Sequence, residues 1–196
     1  MGTGRSSNQV KVASIGNTSF FSYDDNEHGT ELWKTDGTPE GTKMVKDIRP
    51  GIHSSLPQEF RVMNNILYFN AWDGIHGHEL WRTDGTEAGT YLVKDIAEGT
   101  YNSLPTQLTV LDNALYFVAN DYVSGKELWK SDGTADGTLK VKDINIGTSS
   151  SAINNLTVAG KTLYFTADDG INGVELWKSD GTAAGTALIK NISPDA

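Results

Sequence analysis

Carboxylates recur in this chain at positions where they could bind a metal ion. One Asp occupies the same position in each of four short loops, and these Asp residues are 48 positions apart. With neighbouring oxygen atoms they could hold Ca²⁺, which prefers about six to eight oxygen ligands, although no loop has EF-hand spacing. An Asp in a turn can instead accept hydrogen bonds from its own backbone. The candidate calcium ligands are Asp25, Asp73, Asp121 and Asp169.

Aromatic residues that interrupt this repetition are candidates for ligand contacts. Trp72 and Tyr122 stand at loop positions that are polar or Gly in the other repeats, and Tyr101 stands where two repeats have His53 and Ser149. The fold does not require these rings, so they could contact a sugar ring or a partner protein. Local packing within the loops is the alternative. The candidate ligand-binding residues are Trp72, Tyr101, Tyr122, His76 and His78.

One Glu and one Lys also recur at fixed positions of every repeat, and they are predicted to form a cross-strand ion pair. Glycoside hydrolysis needs two carboxylates in unlike environments, whereas four equivalent copies have four like environments. The chain contains no G-x-S-x-G, H-E-x-x-H or phosphate-loop motif. We therefore expect no enzymatic activity. The predicted pairs join Glu31, Glu79, Glu127 and Glu175 to Lys46, Lys94, Lys142 and Lys190.

The elements that position these residues repeat without insertion or deletion. The segment GTELWKTDGTPEGTKMVKDI starts at Gly29 and returns in related form from Gly77, Gly125 and Gly173. A fixed interval of this length predicts copies of one structural unit. Residues 1–6 are expected to be a linker, and the units span 7–54, 55–102, 103–150 and 151–196.

Each unit has the pattern of four short β-strands. In the third unit these are the stretch around Leu108–Leu111, followed by LYFVA, ELWKS and LKVKDI, which are rich in aromatic and β-branched residues. The DGTxxGT segment supplies glycines for a tight hairpin turn. No apolar stripe has helical spacing. The pattern predicts an all-β propeller with four blades of four antiparallel strands, and a β-solenoid is the rival.

Two further repeated residues are expected to be structural. The Trp of each ELW should fill the space between neighbouring blades, with the preceding Leu on the opposite face of the strand. The Asp of each DGT should accept hydrogen bonds from its own turn, which the following Thr can close. These residues are Trp33, Trp81, Trp129 and Trp177, and Asp36, Asp84, Asp132 and Asp180.

The stretch ELWKTDGTPEGT and its three copies resemble the ELWxxDGT repeat of bacterial proteins. The likeness covers all four units, and the fourth departs from it mildly, with Asn191 where the others have Asp. The resemblance implies propeller blades of secreted or surface-attached bacterial proteins, and it implies no defined activity. We therefore expect an extracellular or cell-surface location.

Composition excludes several partners. The chain has 16 basic and 25 acidic side chains, a net charge of −9 at pH 7, which disfavours nucleic acid and anionic membranes. No apolar run reaches the roughly 18 residues that span a bilayer, and no Cys is present for disulfides.

We expect a non-catalytic binding or scaffold module with a glycan or protein ligand, and with no cofactor unless the loops bind Ca²⁺. A glycoside-hydrolase-type propeller and an engineered or excised repeat protein without native activity are the alternatives. The four blades could close into a monomeric ring, form half of an eight-bladed ring of two chains, or belong to a longer array.

Overall fold

The computed structural model describes residues 12–192. This part of the chain forms sixteen β-strands in four separate antiparallel sheets and contains no helix. Within each sheet the strand order follows the sequence, so each sheet is a four-stranded meander. The four-bladed all-β prediction is confirmed, with one sheet in each predicted repeat. The predicted linker 1–6 and the ends of the outer repeats, 7–11 and 193–196, lie outside the described residues.

The strands have closely matched bounds in the four blades. Blade 1 contains β1 (Ala13–Ile15), β2 (Thr18–Asp24), β3 (Thr30–Thr35) and β4 (Lys43–Lys46). Blade 2 contains β5 (Gln58–Met63), β6 (Ile66–Trp72), β7 (His78–Thr83) and β8 (Tyr91–Lys94). Blade 3 contains β9 (Thr106–Leu111), β10 (Ala114–Asn120), β11 (Lys126–Ser131) and β12 (Leu139–Lys142). Blade 4 contains β13 (Asn154–Ala159), β14 (Thr162–Asp168), β15 (Val174–Ser179) and β16 (Ala187–Lys190).

The turns between strands follow from the turn residues in the sequence. Asn64 and Asn65 connect β5 to β6 with φ of 53° and 60°. Two successive positive φ values match the twist of a two-residue hairpin. In the DGT turn of blade 2, Asp84 Oδ1 accepts hydrogen bonds from Thr86 N at 2.8 Å and Thr86 Oγ1 at 2.6 Å. The same predicted turn contacts form at Asp36, Asp132 and Asp180.

Both faces of blades 2 and 3 are buried, because each of these two inner blades lies between two others. In β10, Leu115 and Phe117 on one face are fully buried, and Tyr116 and Val118 on the other are nearly so. The Trp of each later blade packs into an apolar cluster with the Leu of the preceding blade, as Trp81 does with the side chains of blade 1. The predicted wedge position is confirmed for Trp81, Trp129 and Trp177.

Three blade-to-blade interfaces are present in the described residues. Innermost strands meet in the pairs β1 with β5, β5 with β9, and β9 with β13. Three apolar clusters join blade 1 to 2, blade 2 to 3, and blade 3 to 4. Within residues 12–192 no apolar cluster joins blade 4 to blade 1, the contact that a closed four-bladed ring requires.

Among residues 12–192, the four blades thus form an open arc, and the outer face of blade 1 and the outer face of blade 4 pack against no other blade. We call one the blade-1 end face, formed by Phe21, Tyr23, Trp33, Gly37 and Thr42. We call the other the blade-4 end face, formed by Tyr164, Leu176, Lys178, Ile189 and Lys190.

The predicted ion pair between the repeated Glu and Lys is wrong. Glu79 is fully buried, and its Oε1 accepts hydrogen bonds from Ala97 N at 3.2 Å and Ser103 N at 3.0 Å. Its Oε2 accepts from Ile96 N at 3.1 Å and Ser103 Oγ at 2.5 Å. The buried N–H groups of the crossover to the next blade need acceptors, and the carboxylate supplies them. Burial raises the pKa of Glu79 and of Glu127 to about 7.

The repeated Lys instead joins neighbouring blades. Lys94 Nζ donates to the carbonyl oxygen of Thr138 at 2.9 Å, from the last strand of blade 2 to the turn before the last strand of blade 3. Equivalent bonds join Lys46 to Thr90 and Lys142 to Thr186.

Candidate functional site

The aromatic residues singled out in the sequence lie along one rim of blades 2 and 3, where loops meet crossovers. Trp72 ends β6 and pairs in register with His78 at the start of β7, with ring centroids 5.9 Å apart. The guanidinium carbon of Arg49, from the crossover of blade 1, lies 3.6 Å from the Trp72 ring centroid. This cation–π contact covers part of the indole and holds the crossover against blade 2. Trp72 therefore packs against residues of its own chain, as the local-packing alternative predicts.

His78 is half-buried beside Trp72. Its Nδ1 lies 3.1 Å from Oδ1 of the fully buried Asn70, and its backbone N donates to Asn102 Oδ1 at 2.8 Å. Burial, together with the positive charge of Arg49, lowers the pKa of His78. The imidazole is thus neutral near pH 7 and serves to fix the rim between blades 2 and 3.

Tyr101 and Tyr122 form an exposed aromatic pair. Tyr101 comes from the crossover between blades 2 and 3, and Tyr122 from the β10–β11 loop of blade 3. Their ring centroids are 4.9 Å apart with planes at 44°, and the residues are 60% and 53% exposed. The structure thus brings together two side chains that stand at different positions of the repeat. The tilt leaves aromatic surface of each ring open to solvent.

The backbone at Tyr122 is in the left-handed region, with φ of 59°. The equivalent positions in the other repeats are Asn26, Gly74 and Gly170, residue types that tolerate this conformation. A bulky residue here costs about 1 kcal/mol or more. A hydrogen bond from Tyr122 N to Asn120 Oδ1 at 2.8 Å holds the turn. Strained backbone of this kind clusters at ligand-binding and catalytic sites.

The four loop Asp residues bind their own turns. Asp73 Oδ1 accepts from the backbone N of Ile75 and His76 at 2.8 and 2.9 Å, and Oδ2 lies 2.7 Å from His76 Nδ1. Burial opposes ionisation of Asp73, but the hydrogen bonds from His76 outweigh it and lower the pKa of Asp73. The carboxylate in turn raises the pKa of His76. His76 is therefore a turn residue, and its Nδ1 is engaged by Asp73.

The structure does not bring the candidate calcium ligands together. Asp25, Asp73, Asp121 and Asp169 lie in four separate loops. Each carboxylate accepts hydrogen bonds from the backbone N–H groups two and three residues further along its own turn. Within the part of the chain that the structure describes, no group of three or more His, Asp or Glu side chains is placed to hold a metal ion.

A concave cleft on the propeller axis is a feature that the sequence interpretation missed. Its volume is about 600 Å³, and the innermost strands of blades 2, 3 and 4 line it. Glu59, Gln107 and Asn155 occupy one repeat position there, all with φ near 60°. The sequence signal that could have indicated this cleft is the presence of three different polar residues at one repeat position.

The polar groups of this cleft join neighbouring blades. Gln107 N donates to Glu59 Oε2 at 3.0 Å, and Gln107 Oε1 accepts from Leu156 N at 3.1 Å. Glu59 is the single carboxylate among the described lining residues. Acid–base hydrolysis of a glycoside uses a pair of carboxylates, and the described lining does not supply one.

Comparison with known proteins supports the fold and goes no further. No protein-family model and no curated protein matches the chain. Puromycin hydrolase matches with a TM-score of 0.58 at 13% identity, over 88% of this chain and 26% of its own. An uncharacterized protein of Listeria monocytogenes matches with a TM-score of 0.50 at 14% identity, over 95% and 57%. The computationally designed Ika8 protein matches with a TM-score of 0.49 at 20% identity, over 91% and 47%.

The chain spans from about a quarter to little more than half of these proteins. At these identities the two matches with TM-scores of 0.50 and 0.58 support a propeller-type fold alone. The described residues also contain no helix long and apolar enough to cross a membrane.

Proposed function

We propose that this chain is a non-catalytic propeller module that binds a neutral glycan through Tyr101 and Tyr122. The exposed ring pair carries this proposal, because Tyr122 holds a strained backbone conformation at a position where two other blades have Gly. Tyr rings offer large rigid contact area together with a polar group. The net charge of −9 disfavours acidic glycans. Following the resemblance of its repeats, we propose an extracellular or cell-surface setting.

The proposal of a non-catalytic role is supported by how the carboxylates are used. The buried repeat Glu residues accept backbone hydrogen bonds, as Glu79 does. The loop Asp residues cap their own turns, as Asp73 does. The axial cleft has Glu59 as its one carboxylate among the described lining residues. Carboxylates engaged in such structural contacts support a non-catalytic role.

The test is a thermal-shift scan of the chain with a panel of neutral oligosaccharides, followed by calorimetric titration of each sugar that raises the midpoint. A ligand that binds the folded state alone raises the unfolding midpoint by mass action. Tyr122→Gly removes the ring and relieves the backbone strain, so it should keep or raise stability while it abolishes the sugar-induced shift. Tyr101→Ala should weaken binding by about tenfold or more.

Tyr91→Ala is the matched control, because Tyr91 is also exposed but lies on β8 away from this pair. It should leave the sugar-induced shift unchanged. A shift that survives both Tyr101→Ala and Tyr122→Gly would place binding elsewhere. Turnover of a chromogenic glycoside that is lost in Glu59→Gln would establish the enzymatic alternative.

A further inference from the structure

Equivalent residues have unequal surroundings at the two ends of the arc. Leu32, Leu80 and Leu128 are fully buried by the next blade, whereas Leu176 on the blade-4 end face is 40% exposed. Ile189 is 43% exposed, whereas its equivalents are buried. On the blade-1 end face, Trp33 is only partly buried, while the three later Trp residues are buried. Within the described residues, each end face thus carries the side chains of one side of a blade-to-blade interface and has no blade packed against it.

In the part of the chain that the structure describes, basic side chains at the blade-4 end face also lack the acceptors that their equivalents have on the next blade. At the three internal interfaces, a basic side chain of one blade donates to the DGT carbonyl of the next, as Lys34 Nζ does to Gly85 O at 2.6 Å and Lys130 Nζ to Gly181 O at 3.2 Å. The equivalent donor in blade 4 is Lys178, which is exposed. Lys178 and Lys190 make no hydrogen bond to the described residues, whereas the equivalent Lys130 and Lys142 each bind the next blade.

The acceptors that these groups lack are on the opposite end face. By repeat position, the carbonyl of Gly37 is equivalent to that of Gly181, which accepts from Lys130, and the carbonyl of Thr42 is equivalent to that of Thr186, which accepts from Lys142. Thr42 is exposed, whereas its buried equivalents accept from Lys46, Lys94 and Lys142.

The described surroundings of Gly37 also lack a side chain that the equivalent glycines contact. The φ of Gly37 is 93° and nothing lies within 4 Å of where its Cβ would be. The equivalent Gly85, Gly133 and Gly181 have the ring of Phe20, Tyr68 and Tyr116 from the preceding blade at that place. The matching ring for Gly37 is Tyr164 of the blade-4 end face.

We propose that a second copy of this chain occupies both end faces, so that two chains form one eight-bladed ring. The blade-4 end face of each copy packs on the blade-1 end face of the other. Leu176 then lies against Trp33 of the second copy, Lys178 donates to its Gly37 O, and Lys190 donates to its Thr42 O. A repeated head-to-tail contact of this kind must close into a ring or continue as a filament. Closure also removes the open faces that invite non-specific association.

The test is the mass of the chain by multi-angle light scattering and sedimentation equilibrium across a wide concentration range. The wild-type chain should show twice the 21.2 kDa of a single molecule. Leu176→Glu should give single chains, with the dissociation constant raised at least about a hundredfold, because the charge would be buried unpaired. Ile171→Glu is the matched control, since Ile171 is exposed in the β14–β15 loop of the same blade. It should remain a dimer.

A complementation experiment separates loss of the interface from loss of folding. Trp33→Arg disables the other end face and should also give single chains. When Leu176→Glu and Trp33→Arg chains are mixed, one wild-type interface forms and the two new charges meet across the other. The mixture should therefore return to the dimer mass.

Three results would overturn the proposal. The first is a wild-type chain that stays at the mass of one molecule at every concentration. The second is an assembly of three or more copies. The third is a mixture of the two variants that does not associate although both chains are folded by circular dichroism.

Discussion

The internal blade interfaces and the two end faces contain the same repeated residues in different surroundings. Leu80 is fully buried between blades 2 and 3, while Leu176 is 40% exposed at the edge of blade 4. Lys94 donates to a carbonyl of the next blade, whereas Lys190 has no described partner. The ELW and DGT segments therefore specify contacts between blades as well as the blade itself.

The comparison of internal and end positions separates the repeated residues that stabilise a single sheet from those that act only between two sheets. Asp84 and Asp36 cap their turns in the same way, although one turn is next to a preceding blade and the other is not. Such contacts are local to the hairpin. By contrast, the Leu of each ELW, the interblade Lys and the Gly of each DGT turn contact partners only when another blade packs against them. Paired substitutions at internal and end positions can measure the two roles separately.

The largest contrast is expected for the buried Leu. Leu80→Ala should lower the free energy of unfolding by about 2–5 kcal/mol, because it leaves a cavity in the cluster that joins blades 2 and 3. Leu176→Ala should change it by less than about 1 kcal/mol in the single chain, where the side chain is already partly in water. Urea unfolding of dilute, single-chain protein measures both. Equal losses would contradict the contrast.

A rise in pH should lower the free energy of unfolding, because two buried Glu side chains lose their protons. The pKa of Glu79 and of Glu127 is raised by burial from 4.5 to about 7, so the folded chain binds more protons than the unfolded chain between these values. The stabilisation is complete below pH 4.5 and is lost as pH rises through 7, by about 2–3 kcal/mol for each Glu. Urea unfolding from pH 4.5 to 8 should show this fall, and Glu79→Gln should reduce it. A flat profile would show that the crossover hydrogen bonds offset the burial.

Substitution of the DGT glycine by Ala can be compared at two positions where the backbone strain is equal but the neighbouring atoms differ. Gly133 and Gly37 have φ of 94° and 93°, so Ala is strained equally at both. At Gly133 the added Cβ would also meet the Tyr68 hydroxyl, whereas nothing lies nearby at Gly37. Gly133→Ala should therefore cost about 1–2 kcal/mol more than Gly37→Ala. Thermal unfolding of the two variants measures this difference, and equal unfolding midpoints would show that the Tyr68 hydroxyl does not hinder a Cβ at Gly133.

The smallest contrast is expected for the interblade Lys. Lys94→Met leaves the Thr138 carbonyl without this donor and should cost about 1 kcal/mol. Lys190→Met should leave the stability of the single chain unchanged and weaken only its association. Chemical unfolding at low concentration and sedimentation at high concentration give the two readouts. A loss of single-chain stability in Lys190→Met would place a partner for Lys190 within its own chain.

The sequence predicted what depends on local chemistry. The fixed repeat, the aromatic strands and the turn residues led to four meander sheets, as in the strands around Tyr116 and Trp129. The same pattern did not show the partners of Glu79, because its donors lie in a crossover up to 24 residues away. Nor did it show the contact of Tyr101 with Tyr122, which joins two loops whose separation depends on how blades stack.

The axial cleft was missed for a related reason. Glu59 and Gln107 sit where the register of the innermost strand shifts, and neither residue type predicts a positive φ. Trp72 was a candidate contact because it interrupts the repeat, but its Arg49 partner comes from the crossover of another blade. Repetition in a sequence identifies the common framework, whereas contacts between unlike residues of different repeats need coordinates.

Hydrogen exchange of the ELW strands at several protein concentrations measures whether the blade-4 end face is open in a single chain and covered in the dimer. Strand β11 lies in an internal blade, and β15 holds the equivalent residues beside the blade-4 end face. We expect strong protection of β11 at every concentration, and protection of β15 that is weak in dilute protein and rises toward that of β11 as protein concentration rises. Protection of β15 that equals that of β11 in dilute protein would contradict the account, because it would mean that the blade-4 end face is already covered within a single chain.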